Sequence, residues 1–272
     1  MHGTVPGRVR TLRRSNMDKY QLYERCVQSP SHLCEFLTAL HGATPRRLRE
    51  DFSGTGALAR YWCFSLGACA SSGVSSAVVV DLDGDALNAC RDVGGIDVRC
   101  GDVLSMLDQD ATDVIFVGNF SIGYIHTRRA LMRYLVASRR RLARGGIFVC
   151  DLYGGPGAWR LGGLSRRFSC ENGDTIHYYW SHEAADPLSG MVENTVSFRV
   201  ERAGEIVEEL RDAFRYRWRL WALAELREAM LEAGFSSVEI YNDVNVAEAG
   251  VVASVRTAQE LGEDWTVLIC AR

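Results

Sequence analysis

Residues able to do chemistry first gather at Leu48–Arg60, LREDFSGTGALAR. Two carboxylates, Glu50 and Asp51, stand directly before a short loop, Gly54-Thr55-Gly56, and a run of good helix formers follows. Gly54 to Ala59 fits the G-x-G-x-x-G/A pattern of dinucleotide-binding loops. A dinucleotide would set its pyrophosphate at that loop and at the helix N-terminus, where two carboxylates oppose it. An ammonium or a sulfonium is favoured there instead, and S-adenosylmethionine (SAM) carries both. Glycines at 54 and 56 permit close backbone approach because they lack a Cβ.

Further acids follow at regular places. Asp81 closes the apolar run SAVVVDL and can accept hydrogen bonds from both hydroxyls of a ribose. NAD sites use an acid in the same way, so Asp81 alone does not discriminate. Asp102, after Gly101, can accept from an adenine amino group, with Val103 against the ring. Tyr20, Phe52, Leu82 and Asn119 complete the expected cofactor set. No metal site is expected: the nine cysteines are scattered without a C-x-x-C pair, and the six histidines do not cluster with them. The cysteines read as small hydrophobes of a reducing compartment.

Methyl transfer from a sulfonium needs mainly alignment of the acceptor and exclusion of water, so a dedicated catalytic residue is optional. Asn119-Phe120-Ser121-Ile122 falls where the transferable methyl is expected, and Asn119 and Tyr124 are the candidate positioning groups. No proline lies between Pro45 and Pro156, which speaks against the Asn/Asp-Pro-Pro-aromatic loop of enzymes that methylate nucleobase amino groups. Tyr23, Tyr153, Trp218 and Trp221 are candidate acceptor-pocket walls, since aromatic faces hold cations. Arg217 is a candidate clamp for a substrate carboxylate, although a solvated strand edge explains the alternation Arg215, Arg217, Arg219 equally well. His126, His177 and Trp180 are further candidates.

The elements that must position these residues alternate between strand and helix. Strands are expected at 47–51, 76–82, 96–100, 113–117 and 147–152, with helices at 57–66, 85–91 and 127–143 between them. Such alternation implies a parallel sheet with helices on both faces and ligands at the carboxyl ends of its strands. Two helical pieces precede it, Pro30 interrupting between them and Ser31 capping the second. Segments 167–171, 175–183, 191–201 and 205–216 alternate with period two and are separated by turn signals, as in an antiparallel meander that covers the sheet's active edge or serves as an association surface. A helix at 222–233 and strands at 238–241 and 265–271 end the chain; residues 243–262 give no clear pattern.

The order LREDFSGTG, VVVDLDGDAL, RCGDVLSM, VGNFSIGYIHTRRAL and GGIFVCDLYGG resembles the class I SAM-dependent methyltransferases. Within them it is similar to a largely uncharacterised bacterial-type group, which also resembles YQLYERCVQSP and FRYRWRLWALAELREAMLEAGF. The resemblance covers residues 17–272. It implies an α/β fold, a Rossmann-like seven-stranded sheet whose last strand is antiparallel, with the meander inserted after the fifth strand. It also implies Glu50, Gly54, Gly56, Asp81 and Asp102 as cofactor contacts. Phe52 departs from the pattern, standing where the superfamily has the first glycine of its loop; which of Glu50 and Asp51 meets the ammonium is left open. VGNFSIGY is similar to the asparagine-bearing loop of small-amine methyltransferases.

The expected division is a basic tail over 1–17, a helical cap over 18–45, a cofactor-binding core over 46–160, the β insertion over 161–220, and completion of the core over 221–272. At 272 residues with 47% hydrophobic and 24% charged residues, the chain is long enough for a sizeable core. Its net charge of −3 argues against general attraction to nucleic acid, and no apolar run approaches the ~20 residues that span a bilayer. A cytoplasmic location is expected; an organelle import signal in the Arg-rich first sixteen residues is the alternative. The expected activity is methylation of a small molecule, at nitrogen before oxygen or sulfur, leaving S-adenosylhomocysteine. An RNA or protein acceptor, or a non-catalytic SAM-binding module, is the competing reading. A homodimer through the β insertion is a further expectation.

Overall fold

The computed structural model describes residues 17–69, 76–106, 111–242, 254–255 and 260–272. The basic tail before Met17 and nearly all of 243–262 lie outside the described residues. Seven strands form one sheet: β1 (Arg47–Asp51), β2 (Ser76–Asp81), β3 (Ile96–Cys100), β4 (Thr112–Val117), β5 (Leu142–Gly154), β10 (Val238–Tyr241) and β11 (Trp265–Ala271). Their order is β10-β11-β5-β4-β1-β2-β3. Strands β1 to β5 pair in parallel, and β11 runs antiparallel to both β5 and β10. The order reverses between β1 and β4, which makes the carboxyl ends of these strands the crevice of the sheet.

Period-two alternation sends successive residues to opposite faces, and each face has its own helices. Leu48, Val79, Val114, Phe116 and Val149 pack against α2 (Pro30–His41) and α3 (Ala57–Cys69). Val80, Ile115, Val117, Phe148 and Cys150 pack against α5 (Arg128–Arg141) and α6 (Leu223–Glu232). A single turn of helix, α4 (Gly84–Leu87), follows β2. Burial on both faces is why β2, β4 and β5 carry continuous apolar runs, whereas β1, RLRED, is buried with its Arg49 and Asp51 paired.

Strands β6 (Gly162–Ser169), β7 (Thr175–Asp186), β8 (Met191–Arg202) and β9 (Glu205–Arg219) form a separate antiparallel meander. Helix α1 (Lys19–Val27) packs on this second sheet, not on the core: Leu22 and Cys26 lie among Ile176, Tyr178, Val196, Phe198 and Val200. Asp18 caps α1 and exchanges a reciprocal capping box with Gln21. Among the described residues no helix is long and apolar enough to cross a membrane.

Two boundaries differ from the sequence expectation. Pro30 is the first residue of α2 and Ser29 its N-cap position, so Ser31 is not a cap; proline's fixed φ and missing N–H suit a first helical turn. Strand β5 begins at Leu142, five residues before Ile147, because Gly145-Gly146 do not merely stop α5. Gly145 has φ +81°, and a Cβ on Gly146 would come within 3.0 Å of the Thr112 and Asp113 carbonyls. The pair therefore absorbs an irregularity in the β4–β5 ladder between Thr112 and Val114.

Candidate functional site

The glycine loop follows β1 and is held down by its neighbours. Ser53 N–H donates to the Val80 carbonyl at 3.0 Å, Gly56 N–H to the Ser53 carbonyl at 2.9 Å, and Gly54 N–H to Asp81 Oδ2 at 2.7 Å. Phe52 takes φ +55°, a left-handed conformation that glycine would adopt without cost. Its ring stacks on Tyr124 with centroids 5.9 Å apart and 21° between planes, and meets Tyr134 edge-on at 6.4 Å. Those contacts offset a strain of about 1–2 kcal/mol. The bend where the resemblance expects a glycine is thus made by an aromatic residue.

The two acids before the loop part company. Glu50 and Asp51 are adjacent on a strand and so face opposite sides of the sheet. Asp51 is fully buried beneath α5, where Oδ1 accepts from Arg49 Nε and Oδ2 from the Tyr134 hydroxyl, both at 2.8 Å. It is neutralised in the core and does not face a ligand, which corrects the expectation that both carboxylates act at the loop. Glu50 lies under the loop on the α3 side, and its Oε2 accepts from the Ala59 N–H at 3.0 Å. Burial pushes its pKa up to about 8, against the opposing effects of that hydrogen bond and of Arg60.

A cavity of about 460 Å³ opens at the carboxyl ends of β1, β2, β3 and β4, within the range of small-molecule sites. On one side it is lined by Gly54, Asp81, Leu82, Asp83, Asp102 and Val103. Asp81 braces two turns at once, accepting from Gly54 N–H and, at 2.8 Å, from Asp83 N–H. Burial raises its pKa against those bonds. Leu82 is 71% exposed, a large apolar side chain left at the cavity rim. A Cβ on Gly54 would meet nothing within 4 Å, so the absent side chain leaves open room at the floor. Gly56 does not line the cavity; a Cβ there would fall 2.5 Å from Cys90 Sγ and 3.1 Å from Val79.

The other side is aromatic, with Tyr20, Tyr23, Phe52, Tyr124, Phe214 and Tyr216 around Asn119 and Ser121. Burial raises the pKa of Tyr23, Tyr124 and Tyr216; for Tyr124 it reaches about 12. These hydroxyls are neutral at physiological pH and act as hydrogen-bonding groups, not bases. Helix α1 closes the top: the Tyr20 hydroxyl donates to Asp83 Oδ2 at 2.7 Å, and Glu24 pairs with Arg60.

Asn119 and Phe120 both hold left-handed backbones, φ +56° and +60°. Two successive non-glycine residues in that region cost roughly 1–3 kcal/mol each. Asp151 of β5 fixes them, accepting from Asn119 N–H at 2.7 Å and from Phe120 N–H at 2.6 Å. Enclosure of this carboxyl raises its pKa to about 7, the two amides opposing the shift.

The remaining candidates stand outside the cavity wall. Arg217 points away, its side chain 64% exposed and 3.6 Å from Glu193; it cannot clamp a ligand in this cavity. Alternation along β9 puts Phe214, Tyr216 and Trp218 inward and the arginines outward. Trp221 is a core residue whose Nε1 donates to the Ile125 carbonyl, with the Arg219 guanidinium 3.8 Å above its ring. Trp218 and Tyr153 form a second layer behind Tyr216 and Phe120. His126 bonds to the Arg217 carbonyl at 2.9 Å, and His177 pairs with Glu201 on the outer face of the insertion. Sequence reasoning missed Gln28, Asp83, Ser121, Phe214 and Tyr216 as lining residues. The signal for the last two was the period-two pattern FRYRW, which the arginines drew to the wrong face.

No family model and no curated protein matches the chain in sequence. Solved structures do match. A SAM-dependent methyltransferase from Clostridium acetobutylicum superposes with a TM-score of 0.66 at 16% identity, covering 91% of this chain and 95% of its own. The sugar N-methyltransferase KedS8 from Streptoalloteichus gives 0.66 at 16% identity, covering 100% and 99%. The amino pentose methyltransferase CalS10 from Micromonospora echinaspora, solved with SAM bound, gives 0.63 at 16% identity, covering 92% and 94%. With its sheet order, its antiparallel seventh strand and its added meander, the chain has the Rossmann-like fold of the class I SAM-dependent methyltransferases.

Proposed function

We propose that the protein is a SAM-dependent methyltransferase that transfers a methyl group to the nitrogen of a small amine. The observation that carries this reading is the cavity at the carboxyl ends of β1 to β4, open above Gly54 and lined by Asp81, Asp83 and Asp102. Among its described lining residues there is no Arg, Lys or His. Three acids and no cation suit a ligand bearing ammonium and hydroxyl groups, and disfavour a pyrophosphate. Asp81 and Leu82 fit a ribose and an adenine edge, with Asp102 and Val103 at the far end of the base. Folds do not fix chemistry, but the likeness to KedS8 and CalS10 supports nitrogen as the acceptor atom.

SAM would supply a methyl on a sulfonium; the acceptor, an amine that has given its proton to solvent before binding, would form the new C–N bond with its lone pair while the C–S electron pair passes to sulfur, leaving S-adenosylhomocysteine and a methylated ammonium that releases any further proton to solvent. The chain's part is to hold and orient. The Asn119–Phe120 backbone, clamped by Asp151, sets the wall beside the reacting atoms, and Tyr124 stacked on Phe52 fixes the opposite side. Helix α1, pinned through Tyr20 and Glu24, excludes water. The test is formation of S-adenosylhomocysteine on incubation with SAM and simple amines. Turnover above the amine-free blank is expected; none with any amine, from folded protein, would contradict the reading.

A further inference from the structure

Three side-chain atoms of the cavity wall are left without a partner. Gln28 Oε1, Ser53 Oγ and Thr55 Oγ1 are shielded from solvent and make no hydrogen bond, and all three residues line the cavity. Ser53 and Thr55 are only 2% and 7% exposed. Polar atoms at that depth normally find partners, and leaving them without any is costly. Ser53 and Thr55 flank Gly54, whose missing Cβ leaves the floor open. Gln28 is the C-cap of α1, and its backbone N–H already donates to the Glu24 carbonyl. Glu24 in turn pairs with Arg60 of α3, and Arg60 Nε reaches the Thr55 carbonyl at 3.3 Å. This end of α1 is thereby brought to the glycine loop.

The donors and acceptors define what completes the set. Each hydroxyl can donate and accept, whereas Gln28 Oε1 only accepts. No Arg, Lys or His lines the cavity, so an isolated anion would be buried without a counter-charge. A lone cation would use the amide oxygen but leave the two hydroxyl hydrogens idle. Helix α3 begins two residues after Thr55 and has no acid in its first turn, so its positive end favours a negative group beside Thr55. A fragment that carries an anion and a cation, neutral in sum, satisfies every member. Of the parts of SAM, ribose and adenine fall to Asp81, Leu82, Asp102 and Val103, which leaves the amino-acid end for the loop.

We propose that Gln28, Ser53 and Thr55 hold the amino-acid end of the cofactor as a zwitterion, without an ion pair to the chain. The carboxylate rests on the two hydroxyls and the ammonium on the Gln28 oxygen. This rests on the methyltransferase reading. It gives the ammonium a partner other than Glu50 and Asp51, which are engaged by Ala59 and by Arg49 and Tyr134. Because Gln28 belongs to α1, the amino-acid end also ties that helix to the loop. A nucleoside lacking that end would leave all three atoms as they are.

The experiment titrates the full chain calorimetrically with S-adenosylhomocysteine and with 5′-methylthioadenosine, which keeps the adenosine and the sulfur but lacks the amino-acid end. S-adenosylhomocysteine is expected to bind at least about a hundredfold more tightly, since several hydrogen bonds to charged groups separate the two ligands. Thr55→Val, Ser53→Ala and Gln28→Leu are each expected to weaken S-adenosylhomocysteine about tenfold, with methylthioadenosine affinity kept within about twofold. Thr55→Val keeps the side-chain shape and removes an orphaned group, so Tm of the free protein is expected to stay level or rise. A merely structural role would weaken both ligands together. Methylthioadenosine bound as tightly as S-adenosylhomocysteine, equal losses for both ligands in the variants, or S-adenosylhomocysteine affinity unmoved in all three would overturn the inference. Failure of SAM and of both these ligands to bind the folded chain would instead overturn the reading beneath it.

Discussion

Gly54 and Gly56 share a left-handed backbone, φ +54° and +61°, yet serve different ends. Gly54 leaves room for a ligand, whereas Gly56 lets Cys90 and Val79 pack under the loop. Gly54→Ala should cost about 1 kcal/mol of stability from backbone strain while lowering SAM affinity about tenfold or more, as read by calorimetry. Gly56→Ala should cost roughly 2–3 kcal/mol, strain and overpacking together, visible as a lowered denaturation midpoint. If the two variants behaved alike, the assignment of floor and packing roles would be wrong. Much of this scale was legible in the sequence: Gly54, Asp81, Leu82, Asp102, Val103, Asn119 and Tyr124 were all candidates and all line one cavity. What misled was reading Glu50 and Asp51 as a pair, although neighbours on a strand cannot face the same ligand. The favourable charge comes from the strand-end acids, and Asp51 belongs to a buried group with Arg49 and Tyr134.

At the scale of elements, the site depends on clamps between segments distant in sequence. Asp151 at the end of β5 holds the strained turn after β4. An asparagine can accept from one of those amides but turns its NH₂ toward the other, so Asp151→Asn should cost about 1–3 kcal/mol of stability. It should lower methyl transfer about tenfold or more through misplacement of the wall, with SAM affinity changed less than turnover; equal loss of both would contradict a positioning role. Helix α1 is the second clamp. Its core contacts lie in the insertion, while Tyr20 reaches Asp83 beside the cofactor side. Tyr20→Phe should speed SAM dissociation by roughly threefold to tenfold, the worth of about 1 kcal/mol for one partly exposed hydrogen bond; an unchanged off-rate in stopped flow would show that α1 is no latch. The sequence suggested a helix with Tyr20, Tyr23, Cys26 and Val27 on one face, whereas Leu22 and Cys26 are the buried residues and Val27 is exposed; a face of that composition fits any complementary sheet, so the partner was not legible either. Gly145-Gly146 were likewise legible as a break but not as a ladder irregularity, which needs the register of β4 against β5.

For the whole molecule, the five-strand alternation was legible mainly because β2, β4 and β5, buried on both faces, carry apolar runs that end in polar residues; the seven-stranded sheet followed from the family resemblance. A meander covering the sheet's active edge was one of two expectations, and β9 does line the cavity through Phe214 and Tyr216; which face of β9 turns inward was not legible, since no local pattern states it. One global consequence follows from Glu50. Its folded pKa of about 8 lies above its ordinary value of 4.5, so the folded state holds a proton that the unfolded chain releases. That stabilisation is fully present at low pH and is lost as pH rises toward 8. Tm should therefore fall between pH 6 and pH 8.5, and the fall should shrink in Glu50→Gln; the same slope in both proteins would contradict the assignment. The central claim, that the acid-lined cavity is built for SAM, is tested most directly by calorimetric titration of the full chain with SAM, S-adenosylhomocysteine and NAD. One-to-one binding of the first two, weakened at least tenfold in Asp81→Ala and absent for NAD, is the predicted result. Heat from NAD alone, or from none of the three while the protein remains folded, would contradict it.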